Sequence, residues 1–279
     1  MSKIVSRGHD AFGEAWRAEF EAMLQTMFSG NGESLRNAAS GYLKFSLDAM
    51  RLQKQFEKDR TYQFTSYDTA RAAVYDNAEY MNGLYLPGIL ISHFLWPHHY
   101  RQSRFFRKEF LPRVQNAGNI RFCDVGVGTG FYSHFLLSEA PHAMGDGFDI
   151  SPHSLDFAAR MMAAAGFSGR WTPHKRDIVA DTPGEQWPFL LCVEVLEHLE
   201  DPLTFLKTLR KMLQNGGSGF VTAAITAPNE DHIYLYNNCE EVIAQLHAAG
   251  FSIDTYFEDA AYSPRKDEPV PRLGAFIVR

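Results

Sequence analysis

The stretch from Arg121 to Leu137, RFCDVGVGTGFYSHFLL, constrains the fold more than any other part of the chain. Phe122 to Val127 has strand character, glycines interrupt at Gly126, Gly128 and Gly130, and helical spacing resumes through Tyr132, Phe135 and Leu136. Strand, glycine turn and helix in that order are how a doubly wound α/β sheet brings backbone N–H groups and a helix N-terminus up to a nucleotide-like ligand. The spacing narrows the ligand further. A dinucleotide fingerprint would put its third glycine at position 131, which is Phe131; here the glycine stands one place earlier, at Gly130. Asp124, just ahead of the turn, would repel a pyrophosphate and attract an ammonium. The turn suits a cationic nucleoside bearing an amino acid and argues against a nicotinamide dinucleotide. A tight turn with no ligand is the plain alternative.

Beyond the turn, strands and helices alternate. Strands are expected at Ala143–Ile150, Trp171–Ile178, Phe189–Val195, Gly219–Ile225, Phe251–Phe257 and Leu273–Val278, the last two joined by a Pro-rich loop from Ser263 to Arg272. Ser151–Pro152 opens a helix running to about Ala165. Asp201–Pro202 opens another that ends near Gln214 at the stop Asn215–Gly216–Gly217, and Cys239–Ala249 is closed by Gly250. Residues 1–118 carry few strand signals. Helical spacing through Phe12, Trp16, Phe20, Met23, Leu24 and Met27 stops at Ser29–Gly30–Asn31–Gly32. A second helix starts near Glu33, and a third is expected from Ser66–Tyr67–Asp68 through Val74 and Tyr80, with Pro97 breaking the aromatic run that follows. This region reads as a helical appendage covering the sheet, and an apolar helix face could equally serve packing or homodimerisation.

The segment D-V-G-V-G-T-G resembles the first motif of class I S-adenosylmethionine-dependent methyltransferases, and V-E-V-L-E-H-L-E-D-P, Val193 to Pro202, resembles the segment of that family that passes the methionine part of the cofactor and faces the acceptor. The resemblance implies a Rossmann-like, seven-stranded mixed sheet, mostly parallel with the last strand antiparallel. It assigns residues 119–279 to the cofactor-binding core and 1–118 to a lid and substrate region. It also implies S-adenosylmethionine as cofactor, held by Asp124, Gly126, Gly128, Gly130, Val193 and Glu194. At the other strand ends, Asp149 offers two oxygens to a ribose cis-diol beside Ile150. Asp177 would accept from the adenine amino group while Ile178 packs the ring.

For the acceptor, His198 has the ordinary pKa near 6.5 that suits a general base, with Glu197 beside it. His232, Tyr234 and Tyr236 follow the fifth strand, where they could assist proton removal or contact substrate; the same alternation could also be a packed extension. His93, His98 and His99 do not match a zinc spacing, so His98 and His99 are read as aromatic pocket lining and no metal ligands are assigned. The net charge of −6 argues against a nucleic-acid partner. Three separated cysteines, no signal-like leader and no long apolar run read as a cytoplasmic protein without a membrane span. These features point to methyl transfer onto a hydroxyl of a small molecule. N- or C-methylation, a tRNA or protein acceptor, and a non-catalytic cofactor-binding partner are the alternatives.

Overall fold

The computed structural model describes residues 2–28, 32–118, 120–264 and 268–279. The stop at Ser29–Gly30–Asn31 and part of the 263–272 loop lie outside the described residues. Seven strands form one sheet: β1 (Ile120–Val125), β2 (Ala143–Asp149), β3 (Trp171–Lys175), β4 (Trp187–Cys192), β5 (Leu213–Ile225), β6 (Ile253–Ala260) and β7 (Arg272–Val278). Their order is β3-β2-β1-β4-β5-β7-β6. β1 to β5 pair in parallel, and β7 runs antiparallel between β5 and β6. The order reverses between β1 and β4, which opens a crevice at the C-terminal strand ends where open α/β sheets take their ligands.

The sheet is buried on both faces, and alternate residues feed two cores. Phe122, Phe189, Leu191, Phe220, Ala275 and Ile277 point to one face. Cys123, Leu190, Cys192, Val221, Ala223, Phe276 and Val278 point to the other, under α10 (Pro202–Met212) and α11 (Cys239–Ala248). The three cysteines are buried and unpaired. The first face carries α8 (Phe131–Glu139) and α9 (Pro152–Ala164), together with the N-terminal helices. Those are α1 (Ser2–Phe28, interrupted at Gly13), α2 (Gly32–Asp59), α3 (Tyr67–Ala73), α4 (Ala78–Tyr80), α5 (Leu86–Leu95), α6 (Pro97–Phe105) and α7 (Leu111–Gln115), with π-helical turns at Met81–Tyr85 and Phe106–Phe110. The second π turn lies directly on the sheet: the Phe106 ring sits 5.0 Å from Phe220 and 5.1 Å from Tyr132, and Phe110 packs edge-on to Phe189.

Local chemistry explains most element boundaries. Ser151 caps α9 by accepting from the Ser154 N–H, and Asp201 caps α10 by accepting from Thr204. Pro97 separates α5 from α6. Three expectations shift. The helix from Ser66 ends at Ala73, because Asn77 caps a new one by accepting from the Tyr80 N–H. α10 ends at Met212, and Asn215–Gly216–Gly217 lies inside β5, where a Cβ on Gly217 would sit 2.7 Å from the Pro188 carbonyl oxygen. Phe251 is buried ahead of β6, which starts at Ile253 and runs on to Ala260. Among the described residues no helix is long and apolar enough to cross a membrane.

Because Phe106 is fully buried where the N-terminal helices meet the sheet, Phe106→Ala should lower unfolding stability by about 3–5 kcal/mol. Chemical denaturation checks this, and a loss under 1 kcal/mol would mean that the π turn does not anchor the helical region.

Candidate active site

A cavity of about 950 Å³ opens at the C-terminal ends of β1, β2, β4 and β5. Its floor is built by the strand-end turns. Gly126, Gly128 and Gly130 all take positive φ, which glycine adopts without strain. Asp149 holds this floor together: one carboxylate oxygen accepts from the Gly128 N–H at 3.1 Å and the other from the Ser151 N–H at 2.8 Å. Asp124, buried behind the turn, accepts from the Ser133 hydroxyl at 2.6 Å. Burial pushes its carboxyl up to about 7. Ile150, Val127 and Val193 add apolar lining.

Past β4 the chemistry changes. Glu194 takes a left-handed backbone conformation (φ 52°) uncommon for a non-glycine residue. Thr222 of β5 holds it there, accepting from the Glu194 N–H at 2.9 Å and donating to its carboxylate at 2.5 Å. Burial raises the Glu194 carboxyl to about 7. Glu197 is fully buried, and neither carboxylate oxygen has a hydrogen-bond partner among the described residues. Burial, with Glu194 nearby, pushes its carboxyl well above the usual range. His232 places Nδ1 2.6 Å from the Ala227 carbonyl oxygen. A carbonyl only accepts, so Nδ1 carries the proton and Nε2 of the neutral ring is bare. Burial and the His198 ring pull His232 down to about 3, too low for a useful base near neutrality. The two imidazoles meet edge to face at 4.7 Å, and one ligand atom each from Glu197, His198 and His232 lies within 4.8 Å of the others.

The N-terminal helices roof the cavity with Phe45, Tyr75, Tyr85, His93, Trp96, His98 and His99. Burial keeps all three of these histidines neutral by pulling their pKa values down. His93 stacks on Phe131 at 4.1 Å.

A methyltransferase-domain family model matches residues 123–218, which span β1 to the start of β5. A ubiquinone biosynthesis O-methyltransferase of Parvibaculum lavamentivorans is 30% identical over 136 residues, covering 48% of this chain and 51% of that protein. One of Caulobacter sp. is 30% identical over 123 residues, covering 40% and 47%. The chain thus spans about half the length of the curated relatives it matches. Among solved structures, a protein of Nostoc punctiforme provisionally assigned as an O-methyltransferase superposes with a TM-score of 0.55 at 11% identity, over 85% of this chain and 71% of that one. A provisionally assigned sarcosine dimethylglycine methyltransferase of Galdieria sulphuraria superposes with a TM-score of 0.53 at 11% identity, over 65% and 86%. Residues 123–218 thus carry a methyltransferase domain of the kind that uses S-adenosylmethionine.

The floor of that domain fits its cofactor. The Asp149 carboxylate has about four lone-pair sites and spends two on backbone N–H groups, which leaves two for a ribose diol. A Cβ on Gly128 would meet nothing closer than 4.0 Å, so the turn leaves room for a ligand. Of the residues singled out in the sequence, Asp124, Gly126, Gly128, Asp149, Ile150, Val193, Glu194, Glu197, His198, His232, His98 and His99 line the cavity of the methyltransferase domain. Five do not. Gly130 packs helices, since a Cβ there would come 2.8 Å from the Ala158 Cβ. Asp177 is exposed and accepts from the N–H groups of Val179 and Ala180 in its own turn. Ile178 lies in the core with Phe148 and Trp187. Tyr234 accepts from Gln245 and Tyr236 donates to it, so both hydroxyls turn toward α11. Sequence reasoning overlooked Tyr75, Tyr85 and Trp96. Nor did it single out Asp231.

In the free domain the Asp124 carboxyl holds its proton below about pH 7, and only its ionised form attracts an ammonium. Affinity for S-adenosylhomocysteine should therefore rise as pH climbs through 7, and Asp124→Asn should flatten the rise. Calorimetry at a series of pH values checks this; an unchanged slope in the variant would remove Asp124 from the amino-acid end of the cofactor.

Proposed function

We propose that the chain is an O-methyltransferase that modifies a hydroxyl of a small, partly apolar molecule. The observation that carries this reading is the group formed by buried Glu197 and His232 with half-buried His198, which opens into the same cavity as Asp124, Gly128 and Asp149. A cavity of about 950 Å³ roofed by aromatic side chains suits a compact acceptor better than a macromolecule. The O-methyltransferases among the relatives support oxygen as the methylated atom.

The cofactor supplies its methyl on a sulfonium, a leaving group that needs no protonation. The chain contributes placement: Asp149 and the glycine turn seat the nucleoside, and the helical roof excludes water and lays the acceptor against the strand ends. The buried acids do the remaining work. A fully buried carboxyl group without partners, beside a second one, either holds its proton or is joined by a cation. Two imidazole nitrogens and a carboxylate are a donor set for a divalent cation, so Glu197, His198 and His232 would hold such an ion. Bound there, it would favour loss of the acceptor's hydroxyl proton. Glu194, with one oxygen on the Thr222 hydroxyl, keeps the other for that proton.

Transfer of labelled methyl from S-adenosylmethionine to a panel of phenols and catechols, with and without a chelator, tests the reading. Activity should be lost on chelation and restored by Mn²⁺ or Zn²⁺. Glu197→Gln should lower turnover at least about 100-fold with S-adenosylhomocysteine affinity unchanged. Activity that survives chelation but is lost in His198→Ala would favour His198 as a metal-free base. Acceptance of amines alone would overturn O-methylation.

A further inference from the structure

The loop after β5, residues 226–238, is tied to the helical roof by four tyrosines. The Tyr62 hydroxyl accepts from the Ala227 N–H at 3.2 Å. Tyr80 donates to Glu230 at 2.5 Å. Tyr75 donates to Asp231 at 2.9 Å, and Tyr85 donates to the same oxygen. Asp231 is fully buried, and its second carboxylate oxygen has no hydrogen-bond partner among the described residues. A fastening that needed only strength would not bury a carboxylate half satisfied, because apolar packing is the cheaper way to join two surfaces. The residue's other contact is with the site. His198 Nδ1 faces the Asp231 carbonyl oxygen at 3.1 Å, the Asp231 carboxylate at 3.3 Å and the Tyr75 oxygen at 3.3 Å.

All three of those atoms can only accept from the ring, since the Tyr75 proton is committed to Asp231. They fix the His198 proton on Nδ1 and leave Nε2 as the working nitrogen. We propose that Asp231 is the positioning residue that sets the His198 tautomer, and that Tyr75 and Tyr85 make that setting depend on the helical roof being seated. This rests on the reading above only in that His198 acts through Nε2. Tyr85 belongs to the π turn Met81–Tyr85 and Tyr75 follows α3, so both tyrosines reach Asp231 from the N-terminal 118 residues. A seated roof completes the polar surround of His198; a displaced one strips two donors from a buried carboxylate and loosens the ring. The acceptor site would be assembled on closure, while the cofactor floor, which touches neither tyrosine's hydroxyl, is formed throughout.

The test uses the whole chain with ¹⁵N-labelled histidine and S-adenosylhomocysteine; the tautomer is read without added cation, and cation affinity and turnover with Mn²⁺ or Zn²⁺. In the parent, the His198 nitrogens, assigned through His198→Gln, should show the proton on Nδ1. Asp231→Asn should shift the ring toward the Nε2-protonated tautomer. It should weaken cation affinity and turnover by about 10- to 100-fold, with acceptor KM changed less than turnover and S-adenosylhomocysteine affinity within twofold. Tyr85→Phe and Tyr75→Phe should move the same readouts by smaller factors, and Asp231→Glu should recover part of the loss. If Asp231→Asn fails to fold, the two tyrosine variants carry the test. A His198 tautomer unchanged in Asp231→Asn and in both tyrosine variants overturns the proposal, as does a parent ring protonated on Nε2. A tautomer shift in a protein that methylates nothing would uphold Asp231's part and instead sink the proposed function.

Discussion

The structure turns on the burial of acidic groups around one cavity. Asp124, Asp149, Glu194 and Glu197 all line it, and Asp231 lies just behind His198. Each carboxylate removed from water costs several kcal/mol unless it gains partners. Asp149 recovers part of that cost through two backbone N–H groups and Asp124 through Ser133. Glu197 has no such partner at hydrogen-bond distance among the described residues. The raised carboxyls of Asp124 and Glu194, both near 7, express the same imbalance. Such a cavity is arranged for positive charge, which S-adenosylmethionine carries on its sulfonium and ammonium and which the proposed cation would add at Glu197.

The sheet makes this arrangement possible. Reversal of strand order between β1 and β4 leaves a crevice, and residues just past each strand end can turn away from the ladder. Both Glu194 and Thr226, at the ends of β4 and β5, take left-handed conformations there. The ladder on either side and the Thr222 bonds to Glu194 hold the first of these in place. The N-terminal helices add the roof, and their aromatic core is continuous with one sheet face through Phe106 and Phe110.

Much of this was legible in the sequence because its causes are local. The glycine turn, the Ser151 and Asp201 caps and the Pro97 break each follow from residues a few positions apart. Asp149 could be found because strand-end position alone selects it. Where a residue singled out in the sequence stands outside the cavity, the reason is also physical. Asp177 stands at a strand end too, but its carboxylate closes its own turn. The alternation His232-Ile-Tyr-Leu-Tyr suggested one shared face, yet residues 232–236 are not a strand, so His232 reaches the cavity while Tyr234 and Tyr236 turn to Gln245. The bonds from Tyr75 and Tyr85 to Asp231 span 156 and 146 residues of chain, and no local pattern announces them. The meeting of Glu197 and His198 with His232 depends likewise on two separate strand-end loops converging.

A crystal structure with S-adenosylhomocysteine would test the central claim most directly. The account predicts ribose hydroxyls on Asp149, the amino group toward Asp124, and the sulfur facing the group formed by Glu197, His198 and His232. A ligand whose sulfur points away from that group, or whose ribose sits off Asp149, would contradict it.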